Sequence, residues 1–583
     1  TTATLVTRSG RMPAVAMRRG AAAVLAAVSA AAAASPPEFA DLARRLGAAA
    51  AARDLASLRD TEAAMLEFYP DFPPTHPVIA KQRMGLRFEH AAAAVKHIAR
   101  FRELHPDVHD TPLLLNHAYL LSELGQSTES QAALEAAVRG SGPQDKDGPA
   151  AKLALASALL RSRDWQSLQH AASLLSTILL PEGRSPRAPR QGALAALPET
   201  AVSVLALEEA VVSRGGKAEG SDQELTSSVT KLVAHVLDWL ASRHAHLRPA
   251  SPATPSKDAR WALSSRVEVL SIDPRNPKQW AEDLQMAMRA NSKRRAPLKI
   301  SFPGGAEPAD VWAAMKWKVG GWSDKRLRDA AKDDWVYASC LEEGGPQLFG
   351  LASQRRVMRF SKFLYLSRSE TGARCFLNVQ GMKGELYQPP LQGRLGNDVP
   401  IPEWLPLEGR QLDTVTLWMG RSGVGAAEDA QGQCRSRWDA DGQEEPCPCG
   451  GTAGSLSRLH HDNQDNVIAV ADGEKHYALF PPSQAPNLYT VGGIRQVLPS
   501  GVVRYDSDMP GQGDAHGTHF SLVADAFSPS AGDLERFPLL RNAMLEGGQI
   551  SLSRGELLFL PAGWFHQVRS CSRHVAVNFW WNV

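Results

Sequence analysis

Two short segments carry residue types whose spacing could hold a metal ion. One reads Ser457-Arg-Leu-His460-His461-Asp462-Asn463-Gln464-Asp465-Asn466, and the other, near the C-terminus, Gly555-Glu-Leu-Leu-Phe-Leu-Pro561-Ala-Gly-Trp564-Phe-His566. In a strand, residues i and i+2 share a face, so His460 and Asp462 project together and His461 points away. His566, from a distant strand, would complete a two-His, one-carboxylate face, which grips a metal on one side and leaves the opposite positions open. H-x-D alone is a weak motif, but its pairing with P-x-G-W-x-H in strand contexts predicts that His460, Asp462 and His566 converge on one metal. The alternative is a polar barrel that binds none. His516 and His519, in Asp514-Ala-His-Gly-Thr-His519, also have ligand spacing, but their Gly- and Asp-rich surroundings predict a surface loop.

The elements that must position these residues follow from the chain's texture. Beyond about residue 264, short runs of β-branched and aromatic residues alternate with Gly and Pro; Val467–Val470, Tyr477–Phe480, Leu557–Leu560 and Val575–Trp581 read as strands. Many short strands closed by turns predict a mainly β jelly-roll over 264–583, in which Trp564, Trp580 and Trp581 pack the core or the barrel mouth. Arg421–Gly454 lacks periodicity and reads as a disordered insertion. Residues 38–247 read as all-helical. There, Leu113–Gly125 followed by Ala132–Val138 resembles a tetratricopeptide helix pair, with a weaker echo in Ala154–Leu160, Trp165 and Ala171–Leu175. Such a region could offer a partner-binding surface, or simply pack on the catalytic part. A Pro/Ser-rich linker is expected at 248–263.

Composition narrows the class. In 583 residues, 43% are hydrophobic and 22% charged, as in core-forming proteins of roughly two to four domains. The formal charge of +2 gives no electrostatic case for nucleic acid as the main partner. Six cysteines match no zinc-site spacing and read as unpaired thiols. Residues 1–37 contain Arg8, Arg11, Arg18 and Arg19 but no acid, and their apolar run, Ala21–Ala34, is too short and weakly apolar to span a membrane. This leader reads as an organellar (chloroplast or mitochondrial) transit peptide, with a twin-arginine or secretory signal, or a disordered tail of a cytoplasmic protein, as alternatives. Nothing later reads as a membrane span.

From about residue 266 onward the chain resembles the JmjC hydroxylases of the small, cupin-like branch, whose fold is a double-stranded β-helix. Beyond the two metal motifs, the resemblance rests on Gly473-Glu-Lys475-His-Tyr-Ala-Leu-Phe480-Pro-Pro482, on Val577-Asn578-Phe-Trp580-Trp581 and on Thr414-Val-Thr-Leu-Trp418-Met-Gly420. It implies an Fe(II)- and 2-oxoglutarate-dependent dioxygenase that oxidises its cosubstrate with dioxygen, releases succinate and carbon dioxide, and hydroxylates a C–H bond. It further implies that Lys475 pairs with the distal carboxylate of 2-oxoglutarate, that Ser457 assists there, and that Asn466 and Asn578 bond near its metal-bound end. A Tyr that the family commonly aims at the distal carboxylate is missing: the matching segment is Cys375-Phe-Leu-Asn378, with Asn378 assigned to the Tyr position and Phe376 as its rival on the same face. The implied substrate is a protein side chain, Lys or Asn. The alternatives are a tRNA base, a methyl-lysine, or an interaction protein without turnover.

Overall fold

The computed structural model describes residues 36–179 except 53, 85–89, 143–144, 146 and 163, then 200, 203–204, 207–208, 211, 221–243, 267–340, 348–349, 354–367, 375–378, 386–421, 437–438, 444–445, 455–505 and 518–583. The chain divides into two compact units, residues 6–236 and residues 237–583 together with 1–5. The leader, the linker at 248–263 and all but a few residues of the insertion at 421–454 lie outside the described residues.

The first unit is helical: α1 (Pro37–Ala52), α2 (Leu55–Phe68), α3 (Thr75–Met84), α4 (Ala91–Leu104), α5 (Thr111–Glu123), α6 (Ser127–Gly140), α7 (Gly148–Ser162) and α8 (Trp165–Leu179), with α9 (Ser221–Arg243) running across the division. The helix pair expected around Leu113 is α5 and α6. Asp110 caps α5 by accepting from the Leu113 amide at 2.9 Å, and Gly125, at φ +78°, turns the chain out of it. Small buried residues, Ala133 and Ala137, let α6 approach, and the Ser130 hydroxyl donates to the Ala118 carbonyl at 2.7 Å across the pair. The weaker echo is the pair α7 and α8. Among the described residues no helix is long and apolar enough to cross a membrane.

The second unit is a jelly-roll with helical lead-ins. Its strands are β1 (Glu268–Ser271), β2 (Leu298–Ser301), β3 (Trp335–Cys340), β4 (Leu348–Phe349), β5 (Gln354–Arg359), β6 (Cys375–Asn378), β7 (Leu412–Arg421), the two-residue pair β8 (Arg437–Trp438) and β9 (Glu444–Glu445), β10 (Ser455–Ser457), β11 (His460–His461), β12 (Gln464–Phe480), β13 (Ile494–Val497), β14 (Val503–Tyr505), β15 (Gly548–Leu552), β16 (Leu557–Leu560) and β17 (Phe565–Asn582). Helix α10 (Pro277–Arg294) lies between β1 and β2. The main sheet runs β1-β2-β16-β12-β17-β7-β6-β3-β5, with β10 and β11 also on β17 and β15 on β12.

The two strands expected at Val467–Val470 and Tyr477–Phe480 are one, β12, paired antiparallel with β17 from Gln464↔Asn582 to Phe480↔Phe565. Register shifts at Val470/Asp472 and Asp472/Glu474 interrupt it. Gly473 sits there at φ +76°, where a Cβ would meet the Arg573 carbonyl oxygen at 2.2 Å, so the bulge needs glycine. Buried Trp280, Phe559, Phe579 and Trp581 help fill the core beneath the sheet.

The expectation of unpaired thiols is corrected. Cys340 and Cys375 lie directly opposite one another on β3 and β6 and form a disulfide, and Cys571 is also disulfide-bonded. Spacing arithmetic failed because the pairing is made by strand register rather than by sequence distance.

Candidate active site

The two imidazoles are brought together by strand pairing. His460 in β11 is the register partner of His566 in β17, and their ring centroids are 4.3 Å apart. Asp462 follows β11 in a turn, with its Oδ2 3.5 Å from His566 Nε2. That turn is tied to the loop before β17: the Gly563 amide donates to the Asp462 carbonyl at 2.7 Å. Gly563 has φ +82°, and a Cβ there would fall 1.8 Å from the Gly501 carbonyl oxygen, which explains the glycine of the P-x-G-W-x-H motif.

The hydrogen bonds fix the tautomers. His460 Nδ1 lies 2.7 Å from the Arg458 carbonyl, and His566 Nδ1 lies 3.0 Å from the Trp564 carbonyl. A carbonyl only accepts, so each Nδ1 carries a proton and Nε2 is the ring nitrogen left to face a metal. Burial, and then the neighbouring His566 and His519, hold His460 well below the usual imidazole range. One ligand atom each from His460, Asp462 and His566 lies within 4.8 Å of the others. Two backbone-anchored imidazoles and one carboxylate are a donor set that fits an octahedral Fe(II) with open positions. A second cluster, Glu474, His476 and Cys571, has similar spacing, but Cys571 is in a disulfide and offers no thiolate.

Behind the triad a pocket runs into the barrel, lined by Asn466, Ile468, Lys475, Tyr477, Ser457, Val568, Ser570, Asn578, Phe376, Trp418 and Trp580, with Ser455. Lys475 is 2% exposed and donates to the Ser570 hydroxyl at 2.8 Å. No carboxylate is recorded pairing with it among the described residues, and burial pushes its ammonium down to about 7. A buried ammonium facing an open pocket fits a carboxylate ligand. Ser457 Oγ accepts from the Val568 amide at 2.9 Å, which leaves its own hydrogen to donate. Asn466 is buried, with Oδ1 lacking a hydrogen-bond partner among the described residues, and Asn578 lines the same wall. The indole N–H groups of Trp418 and Trp580 both donate to Thr416 Oγ1 at 3.0 Å, which fixes two aromatic walls at once.

Phe376 lines the pocket, with Lys475 Nζ 5.5 Å from its ring centroid. Phe376, the rival for the missing Tyr position, is thus placed at the pocket, while the side chain of Asn378, to which that position was assigned, lies outside the described residues. Tyr477 supplies a phenol that the motif reading overlooked; burial pushes its pKa up. Ser570 was also missed. Tyr477 stands two residues beyond Lys475, so strand alternation could have found it, whereas Ser570 is recognisable only through its register with Lys475.

His519 corrects a further expectation. It is 7% exposed, not on a surface loop, and its ring centroid is 6.2 Å from that of His460. The chain returns against the metal strand here: Phe520 bridges His460, and the Ser521 amide donates to the Leu459 carbonyl at 2.8 Å. His516 lies outside the described residues. His461 points away from the triad as expected and is buried, with Nε2 2.7 Å from the Tyr505 hydroxyl.

A family model described as a cupin-like domain matches residues 285–583, about half of the chain. Among curated proteins, a lysine-specific demethylase of Arabidopsis thaliana is 33% identical over 130 residues, 22% of this chain and 19% of its own length. A human bifunctional peptidase and (3S)-lysyl hydroxylase is 31% identical over 137 residues, 23% of this chain and 40% of its own length. A tRNA wybutosine-synthesizing protein of Gallus gallus is 31% identical over 130 residues, 22% of this chain and 31% of its own length. The chain thus spans less than half the length of each of these relatives.

Proposed function

This chain belongs to the cupin-like domain family, in company with JmjC relatives, and from that premise we propose that it is an Fe(II)- and 2-oxoglutarate-dependent oxygenase that hydroxylates a protein side chain, lysine or asparagine. The observation that carries this reading is the pairing, within one pocket, of an anchored His460–Asp462–His566 face with the buried Lys475.

Fe(II) held by His460, Asp462 and His566 would supply activation of dioxygen coupled to decarboxylation of 2-oxoglutarate, and so the oxidation of a C–H bond. The chain's own residues have simpler tasks. Lys475 binds the distal carboxylate, with its Nζ oriented by Ser570, while the Ser457 hydroxyl is free to donate to it. Asn466 and Asn578 offer uncharged polar atoms near the other end, which leaves the net charge at the metal unchanged. Phe376, Trp418, Ile468 and Trp580 exclude water, which strengthens the charge pairing at Lys475. The Nδ1–H bonds to Arg458 and Trp564 keep the imidazoles from rotating. A lysyl substrate is favoured by the human relative, whose name records lysyl hydroxylation.

The test is succinate formation by the full chain with Fe(II), ascorbate and 2-oxoglutarate, with lysine- and asparagine-containing peptides analysed for a 16 Da gain, the mass of one oxygen atom (about 16 Da). No succinate with any substrate, despite bound metal and cosubstrate, would leave a binding protein. Turnover on tRNA alone would transfer the substrate to nucleic acid.

A further inference from the structure

We propose that Asp465 is the positioning residue of the metal centre, a buried carboxylate that fastens the two ligand-bearing segments to each other and to the end of α10. Its residue is 0% exposed. Oδ1 accepts from Arg295 Nη2 at 2.6 Å and from the Ala562 amide at 2.8 Å. Oδ2 accepts from Arg295 Nη1 at 2.9 Å and from Arg410 Nη1 at 3.4 Å. Asp465 stands at the head of β12, just after Asp462, and Ala562 stands in the loop just before His566. One carboxylate therefore spans both segments, beside the Gly563-to-Asp462 backbone bond that already joins them.

Arg295 grips the same loop a second way. It ends α10 in the left-handed region, at φ 55°, which turns its carbonyl toward the site. That carbonyl accepts from Trp564 Nε1 at 2.8 Å, and the Trp564 carbonyl in turn accepts from His566 Nδ1 at 3.0 Å. The chain of contacts from α10 thus ends on a ligand ring. A buried ion pair contributes little net stability compared with an apolar replacement, whereas a two-pronged guanidinium–carboxylate pair sets distance and plane. That contrast points to a geometric role for a network placed here.

The inference rests on the metal-oxygenase reading, and the experiment keeps the two apart. Mn(II) affinity, the visible absorption of the Co(II)-loaded protein, and the Tm of the metal-free protein are measured for the full chain and its variants. Asp465→Asn keeps the shape but places an amide against the guanidinium; Mn(II) affinity is expected to fall about tenfold or more, with an altered Co(II) spectrum. Arg295→Lys keeps the charge, loses the two-pronged bond, and is expected to lose roughly three- to tenfold; it carries the test if Asp465→Asn does not fold. Asp398→Asn is the control. Asp398 is also buried and accepts from Arg326 at 3.1 Å and Trp322 Nε1 at 3.0 Å, but it does not line the pocket. It should lower Tm and leave Mn(II) affinity within about twofold. A folded Asp465→Asn or Arg295→Lys with wild-type Mn(II) affinity and Co(II) spectrum overturns the inference, and so does an equal loss in Asp398→Asn. Wild-type protein that binds no Mn(II), or binds it as well after Asp462→Ala, overturns the metal reading and the inference with it.

Discussion

The two ends of the pocket are built on different principles. At the metal end each ligand is held by main-chain atoms: His460 by the Arg458 carbonyl, His566 by the Trp564 carbonyl, and the Asp462 turn by the Gly563 amide. At the lysine end most contacts run between side chains: Lys475 to Ser570, Lys475 over Phe376, and two tryptophans to Thr416, with Ser457 taking a main-chain amide, that of Val568. Main-chain anchors depend on backbone shape, which at the metal end the buried Asp465 helps to set; side-chain contacts change with each residue. At the lysine end the wall facing the ammonium includes a phenylalanine, Phe376, which offers no hydroxyl.

The largest expected effect lies at the metal end. Asp462→Ala or His566→Ala should weaken Mn(II) binding by more than about 100-fold, beyond what loss of an outer-shell partner costs. Calorimetric titration reads this directly, and a fall of less than tenfold in either would show that the three residues are not a joint ligand set.

Next comes the cosubstrate end. Lys475→Met removes one partner of a buried charge pair, which costs about 3–5 kcal/mol, or roughly two to three and a half powers of ten in 2-oxoglutarate affinity. The same variant, without ligand, should be at least as stable as wild type, because it removes a buried ammonium. Metal-loaded protein that binds 2-oxoglutarate equally well in both forms would detach Lys475 from the distal carboxylate.

A gain is expected from Phe376→Tyr. A new hydroxyl bond to a charged group contributes about 1.5–3 kcal/mol, or one to two powers of ten in affinity, if the phenol reaches the carboxylate. Asn378→Tyr, run beside it, should give none. A gain in Asn378→Tyr alone would assign the position to Asn378 instead.

The smallest effect is with pH. The Lys475 ammonium is lowered to about 7 in the ligand-free fold, against an ordinary lysine value of 10.5 in the unfolded chain. Below about pH 7 both states hold the proton, and the fold bears the full cost of burying a cation. As pH rises from about 7 toward about 10 the fold sheds its proton and the unfolded chain keeps it, so ligand-free stability rises over that window. A dicarboxylate restores the charged form. Binding at about pH 8 should therefore take up close to one proton, and affinity should fall by up to about tenfold per pH unit above 7. Calorimetry in buffers of different ionisation heat measures the uptake; its persistence in Lys475→Met would assign the proton to another group.

Much of this was legible in the sequence because it follows from local periodicity. Alternation placed His460 with Asp462 and turned His461 away, and the apolar spacing of Leu113–Gly125 and Ala132–Val138 marked the helix pair α5 and α6. Other features were not legible. His519 looked like part of a surface loop because its neighbours are Gly and Asp; the bridge from Phe520 to His460 draws it inward. Cys340 and Cys375 looked unpaired because nothing in their spacing records that β3 and β6 are neighbours.

The pocket shows where that division falls. Asn466 and Ile468 are at even positions of β12, and Lys475 and Tyr477 at odd ones, so strict alternation along a single strand would put the two pairs on opposite faces. They line one wall because the strand bulges between Val470 and Glu474 around Gly473. The sequence by itself determined which chemical groups were present and which strand segments carried them, since side-chain type and short-range period are written in consecutive residues. Only the tertiary structure decided that an acid and a lysine thirteen positions apart, Asp462 and Lys475, serve the same cavity. That outcome depends on the register with β17, and register is a property of two distant segments at once.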